Sequence, residues 1–213
     1  MATRGLFVRA LAGATGAALL TGVAGAALAE PVDGDDVRVD VEIDAVEPAG
    51  ALTMSVAADS TTLAEVASGD PAVRQFDGAL PTVTVTDDRG EVPAGQFWYV
   101  TGQSSAFEGE GLTSLPAGHL GWRPNLITEG DGEVAAGEEV VTVLDDPTTG
   151  SGATANNVGL VGEELLALAL DSTEASAQGT WQADADLFLK TPADVAPGSY
   201  SATLTLTLWE DEY

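Results

Sequence analysis

The chain predicts an all-β fold, an antiparallel β-sandwich of about eight to ten strands with Greek-key-like connectivity. Three observations predict it. Apolar and polar residues alternate over several short stretches, as on strands with one buried and one wet face. Clusters of Gly, Pro and Asp punctuate those stretches. Beyond the N-terminal leader, no long segment keeps a helical period.

The leader comes first. Arg4 and Arg9 belong to a basic head, and residues 10–28 are an uninterrupted run of Ala, Gly, Leu, Val and Thr, closing on Ala27-Leu28-Ala29. That order of basic head, apolar centre and small-residue site is the order of a secretory signal peptide over 1–29, leaving 30–213 as the folded domain. A retained membrane anchor is the rival reading, opposed by the cleavage site and the weak hydrophobicity of an Ala/Gly-rich run. Arg4 and Arg9 are not adjacent, so a twin-arginine route is not expected. No second apolar span follows, so the mature chain is expected to have no membrane span. The chain contains no cysteine, which excludes a lipid-bearing Cys and disulfide staples and leaves stability to the core.

The elements follow in order. Val37, Val39, Val41, Ile43 and Ala45 alternate with Arg38, Asp40, Glu42 and Asp44, a first strand. Pro48-Ala49-Gly50 turns the chain into a second, with Leu52, Met54 and Val56 inward. Residues 57–78 read as a polar connection with one helical turn at 63–67. A strand over 81–86 places Val83 and Val85 on one face. Asp87-Asp88-Arg89-Gly90 then turns it towards a strand over 96–101, a hairpin with a longer loop. Stretches rich in Gly, Glu and Ser, 108–118 and 129–137, flank a compact aromatic segment, GHLGWRPNLI. Strands are expected at 139–144 and 165–170, separated by a flexible 145–157. The clearest pattern comes last. Trp181, Ala183, Ala185, Leu187 and Leu189 share one parity, Pro192, Pro197 and Gly198 form a corner, and Tyr200, Ala202, Leu204, Leu206 and Leu208 alternate again.

Charge narrows the partners. The chain carries −27; without the two leader arginines, 34 acidic residues face 5 basic ones, a net −29. Nucleic acid is excluded as a partner, because phosphate binding needs a basic stripe. Attraction to anionic lipid is excluded on the same ground. Dispersed acidity keeps sheet edges from associating, and it also suits a salty or cation-rich medium.

The segment PTVTVTDDRGEVPAGQFWYVTG (81–102) resembles the first signature of the WxL domain: a strand, Asp-x-Arg-Gly, a loop and a tryptophan-bearing strand. GHLGWRP (118–124) and the segment 179–208 follow in the order of actinobacterial WxL-like surface proteins. The likeness spans most of 30–213 and is strongest over 80–208. Here Val100 stands in place of the signature Leu, and in YSATLTLTL Leu206 stands where many members carry tryptophan. The resemblance implies a β-sandwich held non-covalently on the Gram-positive cell wall, on peptidoglycan in particular.

Candidate ligand-binding residues are Trp98, Tyr99, Trp122, Arg89 and Trp209. Aromatic rings stack on the apolar faces of sugars, while carboxylates and amides take the hydroxyls. Each tryptophan also has a core-filling reading. Trp98 and Val100 share one strand face and Phe97 and Tyr99 the other, so one pair belongs to the core. Trp209 has the parity opposite to Leu206 and Leu208 and should face outward. Arg89 reads as a cation for wall anions or as the ion-pair partner of Asp87 or Asp88. His119, the only histidine, has no Cys or second His with which to hold zinc. The acidic runs at 33–36, 87–88, 129–131 and 145–146 leave a structural calcium ion as the one cofactor to consider. No nucleophile elbow, phosphate loop or triad order is present, so no enzyme is expected. The expected protein is a secreted, non-catalytic, envelope-associated module that binds cell-wall glycan. The alternative is a subunit of an extracellular assembly held by other surface proteins, with the oligomeric state open.

Overall fold

Two antiparallel sheets face each other across one apolar core, as the alternation predicts. The computed structural model describes residues 50–145 and 158–213, all within one compact unit. The leader, the strand expected over 37–45, the start of the turn at 48–50, the acidic run at 33–36 and the connection 146–157 lie outside the described residues.

The larger sheet is organised by β9 (Thr180–Pro192), whose odd-numbered side chains from Trp181 to Thr191 all point into the core. One edge of β9 pairs with β6 (Leu120–Leu126). Along its other edge run β3 (Val73–Ala79) and then β4 (Val83–Asp87), with Leu80 N–H donating to the Ala185 carbonyl between them. Beyond these lie β1 (Leu52–Val56), paired with β4, and β2 (Ala64–Val66), paired with β3. The smaller sheet has the order β10 (Leu204–Glu212), β5 (Gln96–Ser104), β8 (Glu164–Ala169), β7 (Val134–Ala136). The helical content is a 3₁₀ turn at Ala117–His119 and the short helix α1 (Ser172–Ser176). Asp171 caps α1 by accepting from the Thr173 and Glu174 N–H groups, and the Trp181 indole donates to the Ala175 carbonyl at 2.9 Å, tying α1 to β9. No helix among the described residues is long and apolar enough to cross a membrane.

Several local expectations are corrected. Residues 57–78 are not a polar connection with a helical turn; they contain β2 and β3, whose half-wet faces mute the alternation. β4 and β5 do not form a hairpin: they belong to different sheets, and the intervening loop crosses the sandwich. The aromatic segment, to which the sequence pattern assigns no element, forms the strand β6. Residues 139–144 make only isolated bridges, Trp122 with Val140 and Val141 with Val158, while the Gly/Glu-rich stretch before them supplies β7. The two strands expected on either side of the Pro/Gly corner are present as β9 and β10, and the corner carries the chain from one sheet to the other.

The core is built around tryptophans. Trp98 (1% exposed) and Trp122 (0%) are the largest fully enclosed side chains, one from each sheet. Trp122 packs against the backbone of Gly102, where a Cβ would lie 2.6 Å from its ring. One flank of the sandwich does not close. Leu204, Leu206 and Leu208 carry the inward parity of β10 yet stay half-exposed. A groove of about 870 Å³ separates them from Met54, Val56 and Phe76 on the opposing sheet.

Candidate binding surface

Strand alternation sorts β5 into two chemical faces. Trp98, Val100 and Gly102 enter the core, whereas Phe97 and Tyr99 stand on the outer face of the smaller sheet. β10 lies beside β5 in a register that sets Trp209 opposite Tyr99 and Asp211 opposite Phe97. Directly opposed side chains in a sheet are near neighbours, so this register turns two separate sequence features into one surface.

The result is a row of four rings in the order Tyr213, Phe97, Tyr99, Trp209. Phe97 lies 4.8 Å from Tyr213 and 5.9 Å from Tyr99, and Tyr99 lies 6.3 Å from Trp209, between ring centroids. Tyr213 is tilted by 30° to Phe97, while Phe97–Tyr99 and Tyr99–Trp209 stack at 19° and 20°. Two polar handles orient the ends of the row. The Trp209 indole donates to Thr101 Oγ1 at 3.0 Å, and the Tyr213 hydroxyl donates to the Leu170 carbonyl at 3.0 Å. Trp209 is 38% exposed and Tyr213 81%, with Phe97 and Tyr99 half-buried between them. Asp211, on the same face, has one carboxylate oxygen engaged by the Glu212 N–H and is otherwise open to solvent. Thr205 and Thr207 share its parity on β10. A flat row of rings flanked by hydroxyls and a carboxylate can stack on apolar ring faces and take hydroxyl or amino groups at its margin.

The other candidates lie elsewhere. Trp98 and Trp122 are core residues, so their rings present no surface to a ligand. The indole N–H of Trp122 finds no hydrogen-bond partner among the described residues. Arg89 is not a free cation. Its guanidinium bridges Asp87 at 2.6 Å and Glu210 at 2.6 Å, fastening the turn after β4 to the end of β10. Burial pushes the Asp87 carboxyl up, but the hydrogen bonds from Arg89 outweigh it and hold the group below the usual carboxylate value. The same bonds raise Arg89.

Acidic runs and the histidine have structural partners too. Asp88 accepts from the Ala51 N–H, and Glu133 reaches back to the Asp131 N–H. Asp145 pairs with Lys190 and accepts from both the N–H and the hydroxyl of Thr142. Burial opposes ionisation of Asp145, yet Lys190 and Thr142 lower it overall. No group of three potential ligands gathers among the described residues. His119 Nδ1 sits 2.7 Å from the Lys190 carbonyl oxygen, which assigns the proton to that nitrogen.

Sequence reasoning brought Tyr99 and Trp209 forward singly. Phe97 and Tyr213 were not among the candidates, although the parity of both strands contained them. What joins the four is the β10–β5 register, which no local pattern encodes. No family model matches the chain, and no curated protein does so either.

Proposed function

We propose that the protein is a secreted, non-catalytic module of the cell envelope that holds cell-wall glycan against the outer face of its smaller sheet. The row Tyr213–Phe97–Tyr99–Trp209 carries this reading. Surface apolar residues are ordinarily scattered; four adjoining rings, the two at the ends held by hydrogen bonds, form a contiguous patch of the kind that marks binding sites. The apolar faces of successive sugar rings would stack along the row, with Asp211 and the threonines of β10 taking polar substituents. A net charge of −29 without the leader repels anionic polymers, so the favoured ligand is neutral or amino-bearing, such as the glycan strand of peptidoglycan. The likeness of the 81–102 and 118–124 segments to WxL signatures points the same way.

The test is retention on purified cell walls across ionic strength, comparing the natural protein with Trp209→Ala and Tyr99→Ala. Loss of a stacked ring should weaken retention about tenfold, equivalent to roughly 1.4 kcal/mol, with unchanged circular dichroism. Equal retention by all three proteins, or no retention of the natural protein at any salt, would remove this surface from consideration.

A further inference from the structure

Asp211 stands among the aromatic rings of the outer face. Phe97 lies directly across from it on β5, and Trp209 and Tyr213 precede and follow it by two positions. Directly opposed residues, and residues two apart on one strand, share a face and are near neighbours. One carboxylate therefore has aromatic neighbours on three sides. Its neighbours in sequence carry the other parity: Glu210 is held by Arg89, and Glu212 lies across from Gln96. No basic side chain among the described residues pairs with Asp211, since Arg74, Arg89, Arg123 and Lys190 are all paired with other carboxylates. Asp211 keeps one oxygen on the Glu212 N–H and turns the rest of its carboxylate to solvent.

The two ends of the row therefore differ in chemistry. Beyond Trp209 and Tyr99, the next opposed pair on this face is Thr207 and Thr101, which brings hydroxyls. At the Phe97 and Tyr213 end the polar group is a carboxylate. A carboxylate attracts a cation, and the face of an aromatic ring does so too when the cation lies within about 6 Å of its centre. An ammonium group on a sugar ring answers both attractions at once. An acetamide in its place carries no charge and answers neither. Resting on the reading of the row as a glycan site, we propose that it prefers glycan whose amino sugars carry a free ammonium group over the N-acetylated form, and that Asp211 sets this preference. The sugar body stacks on Tyr99 and Trp209, and its ammonium group lies by Asp211 and the neighbouring rings. The excess of negative charge on the chain draws such a ligand in from a distance, while the single unpaired carboxylate at the row fixes where the ammonium sits.

The test titrates the intact protein with chitin and chitosan oligosaccharides of equal length, one N-acetylated and the other deacetylated, at low salt. The deacetylated ligand should bind about tenfold more tightly, the combined size of an exposed cation–π contact and a surface ion pair. Asp211→Asn keeps the side-chain shape and an acceptor for the Glu212 N–H, so the fold should survive it. That variant should shrink the gap to about threefold, which the rings alone sustain. Asp194→Asn removes one charge from an exposed position elsewhere and should leave the gap whole. Tyr99→Ala should weaken both ligands alike and preserve their ratio. Equal binding of the two ligands, with both weakened by Tyr99→Ala, would overturn the preference and leave the glycan site standing. A gap that Asp211→Asn and Asp194→Asn shrink to the same extent would overturn it as well, because overall charge would then make the choice. Binding of neither ligand would remove the row as a glycan site and the preference with it.

Discussion

Arg89 ties together two elements far apart in sequence, and the energetics of that tie are specific. Its partners are both carboxylates, Asp87 nearly enclosed and Glu210 at the margin, and the guanidinium itself is only 14% exposed. Removing one partner of such a group strands the others, so Arg89→Ala should cost about 2–4 kcal/mol in urea unfolding. Asp87 gives the pH dependence. Its folded value lies below its ordinary 3.8, so its contribution is present above pH 3.8 and is lost as pH falls through the lower folded value. Asp87→Asn should therefore be less stable than the natural protein at pH 7, and the two melting temperatures should converge below pH 3.8. Glu164 works in the opposite sense. Burial at the start of β8 raises it above 4.5, which favours the protonated form in the fold. Glu164→Gln should melt higher at pH 7 and show no gain at pH 4. Convergence absent in the first pair, or equal gains at both pH values in the second, would contradict these assignments. The enclosed tryptophans complete the residue scale: Trp98→Ala or Trp122→Ala should lose about 3–5 kcal/mol, whereas Trp209→Ala should barely change stability.

Among the elements, β5 and β6 meet in a close contact within the core. Gly102 lies on β5 where the ring of Trp122 covers the backbone, with Leu206 close by. An added methyl would meet Trp122 Cη2 at 2.6 Å, so Gly102→Ala should destabilise by about 1–3 kcal/mol through overpacking. Gly162→Ala, where a Cβ meets nothing within 4 Å, is the matched control in the same urea titration. The Gly102 contact explains what was legible in the sequence and what was not. The strands β4 and β9 announce themselves because one face is buried and the other wetter, and period-two alternation is a direct imprint of that asymmetry. β6 was hidden because Gly121 and Pro124 look like turn residues. In the fold Gly121 is required for close packing, since a Cβ there would lie 2.3 Å from Phe188. β2 and β7 have three residues each, too few to show a period. The supposed β4–β5 hairpin failed for another reason: a turn signal states that the chain reverses, not which sheet receives it. The aromatic row was half-legible on the same account. Parity put Tyr99 and Trp209 on outer faces, but only the strand order brings those faces together.

At the scale of the whole molecule, stability must come from the core without covalent help, against a large excess of negative charge. The chain has no cysteine, and its 34 acidic residues outnumber 7 basic ones. Several of those bases are already committed: Arg74 to Glu65, Arg89 to Asp87 and Glu210, Arg123 to Glu139, and Lys190 to Asp145. Most acidic side chains therefore face one another across water, and compaction brings them closer. Salt shortens the reach of that repulsion to about 8–10 Å at ordinary ionic strength and about 3 Å at 1 M. The committed pairs at Arg89 and Lys190 are partly shielded from solvent and lose less on screening than the dispersed repulsion gains. The melting temperature should accordingly rise steadily from 10 mM to 1 M NaCl, with KCl giving the same curve, both concentrations being about 30 Å and 3 Å in screening length. Calcium chloride at matched ionic strength separates general screening from a bound ion. Coincident curves assign the whole effect to screening. An added rise that saturates at low calcium would instead place a specific oxygen-lined site in the fold, and a falling curve in NaCl would show that ion pairs, rather than repulsion, dominate the electrostatics of this sandwich.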